Sequence, residues 1–216
     1  TGTTGYRYTP ANLDYAAEVM DSVESWVFNI FGTEFISNNM PINILMADTI
    51  CYRYSYSSRI VARILEGDIS DNYTMIGYSS ARFTTAKKTR ALMESWLSLF
   101  VEKMVSSEAL KIPLGFTDIS ATGYQQLSFT NSADVVTLYA ILKKGRQKQK
   151  TGSTTAAWYP TTAAQDFGDY VAFIVYVPET EKQTYYTKNS GVLSKVNIVK
   201  SYFLNSLGIT LPYLPR

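Results

Sequence analysis

Residues 170–177, "YVAFIVYV", decide how this chain is read. They are apolar throughout, rich in β-branched and aromatic side chains, and carry no helical or alternating period. A run of this length and composition predicts a strand buried on both faces. Residues 134–142, "DVVTLYAIL", predict a second strand on the same grounds, and residues 124–129, "YQQLSF", a third and shorter one. Strands are therefore expected in the C-terminal half.

Upstream the character differs. Residues 9–31, "TPANLDYAAEVMDSVESWVFNIF", predict a helix with Thr9 as N-cap, Pro10 at its first position and Gly32 as its stop. Leu13, Ala17, Met20, Val23 or Val27, Ile30 and Phe31 would form its buried stripe. A second element runs from Pro41 to Gly67 and reads as helix at both ends. Its centre, "CYRYSYSS", alternates Tyr52, Tyr54 and Tyr56 with small or polar residues and suits strand equally well. A third helix is expected from about Phe83, before Pro113. The last, at about 190–207, carries Leu193, Val196, Val199, Phe203 and Leu207 and is stopped by Gly208. The predicted class is α+β: amphipathic helices of the N-terminal half packed on a small antiparallel or mixed sheet from the C-terminal half, with a closing C-terminal helix. Residues 1–8 read as a mobile arm, 9–208 as a single domain, and 209–216, with two prolines, as an extended tail.

Between the strands expected at 134–142 and 170–177 lies a 27-residue connection, residues 143–169. It opens with Lys143, Lys144, Arg146, Lys148 and Lys150 and no acid among them. The whole chain has 20 Lys+Arg against 18 Asp+Glu, so without this segment the remainder is net negative. Such a basic arm would neutralise phosphates, with Trp158 and Tyr159 available to stack on bases, or would dock on an acidic protein surface. One such surface lies on the chain itself, since Asp14, Glu18, Asp21 and Glu24 recur by three and four along the first helix. Copies could then join head to tail, with Tyr52, Tyr54 and Tyr56 as further subunit contacts in a chain holding 17 tyrosines.

Histidine is absent and cysteine occurs once, at Cys51. Imidazole-based hydrolases, histidine proton shuttles and nearly all zinc sites are thereby excluded, and Cys51 reads as a small core residue. "TGTTG" lacks phosphate-loop spacing, and Glu66, Asp68 and Asp71 do not match a calcium loop. No apolar run reaches the roughly 20 residues that span a bilayer. No cofactor, metal set or small-molecule substrate is indicated. The resulting expectation is a soluble, non-enzymatic structural subunit that self-assembles or docks into a larger particle, of virus or phage virion type. The alternatives are a nucleic-acid-binding protein using residues 143–150, and a histidine-free enzyme using carboxylates or lysine.

Overall fold

The structure is a computed structural model. It describes every residue except 1–4, 40–42, 57–58, 66, 70–72, 88, 121–123, 125–132, 143–147, 150–156, 159, 161 and 215–216, and gives backbone alone for 5–6, 52–56, 59–65, 68–69, 86, 133–134, 148–149 and 157–158. The chain divides into two compact units, Thr1–Lys103 and Met104–Arg216.

The first unit holds the larger sheet. Its elements are β1 (Gly5–Pro10), α1 (Ala16–Val23), α2 (Asn29–Phe31), α3 (Thr33–Asn39), β2 (Ile44–Tyr56), β3 (Arg59–Leu65), β4 (Gly67–Ile69), β5 (Thr74–Ile76), α4 (Phe83–Ala86) and α5 (Arg90–Ser106), the last crossing into the second unit. The long β2 organises the sheet. It pairs antiparallel with β1 and β3 and, at its start, parallel with β5, which is antiparallel to β4. The sheet is thus mixed, as expected, but its strands come from the N-terminal half and not from the C-terminal one. Within the alternating stretch 50–58, residues 50–56 are strand: the period of two pairs Tyr52, Tyr54 and Tyr56 with Arg63, Val61 and Arg59. The helices expected at either end of Pro41–Gly67 are replaced by β2 and β3.

The first helix starts later than Thr9. Thr9 and Pro10 end β1, where the register with β2 shifts, a position that tolerates the missing proline N–H. Asn12 supplies the cap instead, its Oδ1 accepting from the Asp14 amide at 3.0 Å. A π turn at Glu24–Phe28 separates α1 from α2, and Val19, Val23, Trp26, Val27 and Ile30 are buried, whereas Leu13 is 81 % exposed. Gly32 ends the run at φ 82°, as its sequence position predicts. The helices lie on the sheet: a methyl group added to Gly67 of β4 would sit 2.5 Å from Leu99 Cδ2 of α5. Residues 5–8, expected as an arm, belong to β1.

The second unit is built from helices. After a 3-10 turn at Asp118–Ser120 come α6 (Ala133–Tyr139), an antiparallel pair of two-residue strands, β6 (Lys148–Gln149) and β7 (Ala157–Trp158), then α7 (Ala163–Tyr176), α8 (Glu179–Lys188) and α9 (Ser190–Leu207). Both strong strand expectations are overturned here. Residues 134–139 lie in α6 and 170–176 in α7. An element buried on every side shows no amphipathic period, and α7 is buried from Gln165 to Tyr176. The closing helix is α9 as expected, stopped by Gly208 at φ 67°. The tail crosses α7's end, where the Leu214 amide donates to the Val175 carbonyl at 2.8 Å.

Asn189 ties this unit together. Its Oδ1 caps α9 by accepting from the Gly191 amide at 2.8 Å, and its Nδ2 donates to the carbonyls of Val136 at 3.0 Å and Thr137 at 2.8 Å. Asn189→Ala is expected to cost about 1–2 kcal/mol in denaturant unfolding, with Asn189→Asp recovering only the cap's share. Equal losses in the two variants would show that the cap contributes nothing, and an Asn189→Asp variant as stable as wild type would show that the bonds to α6 contribute nothing.

Candidate functional site

The chemistry of the second unit converges on helices α7 and α9. Thr162 caps α7 by accepting from the Gln165 amide at 3.2 Å, and from there spacings of three and four place Asp166, Asp169, Tyr170 and Phe173 along one face. In α9 the buried stripe is Val192, Lys195, Val196, Val199 and Phe203. Lysine therefore occupies a position where the helical period calls for an apolar side chain.

That lysine is wholly buried, as is its partner: Lys195 Nζ lies 2.5 Å from Asp166 Oδ2, with both side chains 0 % exposed. The Tyr124 hydroxyl donates to the same oxygen, and Lys195 Nζ stands 3.4 Å from the Tyr124 oxygen. Three rings surround the ammonium, with centroids at 4.5 Å for Phe116, 5.0 Å for Tyr170 and 5.8 Å for Tyr124. Their negative faces are suited to a desolvated cation. Tyr170 is itself anchored, its hydroxyl donating to the Ala140 carbonyl at 2.5 Å. The other carboxylate oxygen, Asp166 Oδ1, is buried and accepts no hydrogen bond among the described residues.

Burial sets the electrostatics. It raises the Asp166 carboxyl above the usual range, against the opposing pull of the Lys195 charge and the bonds from Lys195 and Tyr124. It lowers the Lys195 ammonium, against the attraction of Asp166. The Tyr124 hydroxyl is pushed far up by burial and then by the Asp166 charge, so it stays a proton donor. Two groups driven toward neutrality and paired at bonding distance form a closed ionic centre that solvent does not reach.

None of Tyr124, Asp166 and Lys195 figured among the residues singled out from the sequence. The readable signals were a lysine inside the apolar stripe of 192–203 and two acids, Asp166 and Asp169, leading into the apolar run. Among the described residues, those that were singled out do not gather into one site. Lys143, Lys144, Arg146, Lys150 and Tyr159 lie outside the described residues, as do Glu66 and Asp71. Lys148 and Trp158 face each other in register across β6 and β7. Asp14, Asp21 and Glu24 are exposed, while Glu18 is engaged within the chain by an ion pair with Lys87. Tyr52, Tyr54 and Tyr56 alternate along β2, and Cys51 is half-buried on the same strand.

No family model matches the sequence, and no curated protein does. The fold is similar to a crystal structure from Bacteroides caccae, of a protein named as a candidate zinc-binding metallo-peptidase. The likeness covers 94 % of this chain and 75 % of that one, at 15 % identity and a TM-score of 0.54. It corrects the expectation of a self-assembling virion subunit, because the scaffold it identifies is that of a protein named as an enzyme. Among the described residues no helix is long and apolar enough to cross a membrane.

The residues of this chain do not fit zinc. Protein zinc sites draw chiefly on imidazole and thiolate, with carboxylate as a supplement. Here there is no histidine in 216 residues and one cysteine, on β2. Among the described residues no group of three His, Cys, Asp or Glu side chains could hold a metal ion.

Proposed function

We propose that this protein binds polypeptide without hydrolysing it, on a peptidase-like fold whose metal chemistry its residues do not provide. One observation carries the reading. A zinc peptidase helix of the His-Glu-x-x-His type presents two imidazoles at i and i+4, with the general-base Glu beside the first. Helix α7 repeats that spacing with Gln165, Asp166 and Asp169, all buried. An amide and a carboxylate stand where imidazoles are needed, and Asp166 is held by Lys195 and Tyr124 instead of being free to take a proton from water. The polypeptide part of the reading is supported by the likeness of fold to a protein named as a candidate peptidase.

Purified protein equilibrated with zinc and desalted should retain well under one equivalent of metal. It should leave fluorescein-labelled casein uncleaved, and raise the anisotropy of labelled casein peptides saturably. Cleavage abolished by a zinc chelator would overturn the non-hydrolytic reading. Chelator-resistant cleavage lost in Lys195→Met would establish a histidine-free enzyme in its place. Flat anisotropy across a broad peptide set would remove the polypeptide assignment.

A further inference from the structure

We infer that the ammonium of Lys195 takes the electrostatic place of a bound metal cation in this fold. The fold resembles that of a protein named for zinc, the donor set does not fit zinc, and the chain supplies a positive charge of its own at the carboxylate face of α7. Asp166 and Asp169 share that face and are each more than nine-tenths buried. The wholly buried carboxylate of Asp166 is held by a cation at close range, and either a metal ion or a side-chain ammonium can provide one. Lys195 reaches Asp166 Oδ2 from the buried stripe of α9, and Phe116, Tyr124 and Tyr170 wall it in. Aromatic faces favour a desolvated ammonium over a hydrated divalent ion, which keeps its water. The replacement leaves a trace. Asp166 Oδ1, a donor atom that a divalent ion would engage, is buried and takes no hydrogen bond.

With the ammonium removed, the Asp166 carboxylate beside the Tyr124 oxygen is left to draw a hard divalent cation such as Mn2+ from solution in its place. The proposal rests on the zinc-free reading above, and wild-type metal content separates the two. Stoichiometric zinc in the wild-type protein sinks that reading, whereas a cation-blind variant of a zinc-free protein sinks this inference alone. The test compares thermal unfolding midpoints of chelator-stripped wild type, Lys195→Ala and Lys195→Ala/Asp166→Asn, each with and without Mn2+. Lys195→Ala is expected to melt below wild type without metal and to rise by about 5–10 °C when Mn2+ reaches a hundredfold excess over its Kd. Wild type and the double variant should not respond. If Lys195→Ala fails to fold in buffer, its refolding yield from denaturant takes the place of the midpoint. Recovery only with Mn2+ supports the inference, and equal failure with and without Mn2+ overturns it. A wild-type shift as large as the variant's, or no shift in the variant, also overturns it.

Discussion

Lys195→Met is expected to lower the free energy of unfolding by about 3–5 kcal/mol at neutral pH, because it leaves the Asp166 carboxylate buried without its charge partner. Methionine keeps most of the stem volume, so lost packing contributes little and the effect reports the ion pair. The loss has a direction in pH. Without Lys195, the strongest influence lowering the Asp166 pKa disappears, and burial pushes the folded-state value further above its unfolded one. A carboxyl shifted upward on folding contributes stability that is fully present below its unfolded pKa and is lost as pH rises through the folded value. The deficit of Lys195→Met should accordingly be small near pH 4 and grow toward pH 8. Asp166→Asn/Lys195→Met should recover most of it, since neutral replacements remove both desolvation costs together. Urea unfolding at several pH values reads all three. A Lys195→Met deficit below about 1 kcal/mol at pH 8 would mean that the pair is energetically idle.

The second large effect belongs to the first unit. Trp96 of α5 is fully buried, 5.6 Å from Trp26 and 5.8 Å from Phe83 between ring centroids, with the Phe83 ring stacked at 9° and Trp26 and Phe83 themselves 5.9 Å apart. These three rings come from residues 26, 83 and 96, so each closes a long stretch of chain. Trp96→Ala is expected to cost about 3–5 kcal/mol, the sum of lost transfer energy and the cavity left behind. Trp96→Phe keeps a ring in contact with both neighbours and should cost less than half as much. Denaturant midpoints followed by far-ultraviolet circular dichroism decide this, and equal losses for the two variants would show that the ring contacts are not what the site depends on.

Parts of the fold were legible where the local signal is clean. The stop signals of Gly32 in the first unit and Gly208 in the second are local properties that the structure honours, while the alternation of Tyr52, Tyr54 and Tyr56, which suited helix and strand equally, is settled as strand by pairing with β3. The placement of the sheet was not legible, for a reason that the run 170–177 illustrates. A segment apolar on all sides satisfies its backbone as readily in a helix as in a sheet, so β-branched Val171, Ile174, Val175 and Val177 indicated a strand that the surrounding packing overrides. Thr162, eight residues earlier, was the one local hint of a helix start.

The candidate site divides in the same way. That no imidazole could serve as ligand or base follows from composition and needs no coordinates. That Lys195 meets Asp166, 29 residues earlier in the chain, and that Tyr124 joins them from a third segment, only the tertiary structure decides. A sequence lists charges one by one. Which are stripped of water, and which partner each then finds, depends on helices packing their faces together, and burial alone turns an ordinary lysine and aspartate into an ionic centre.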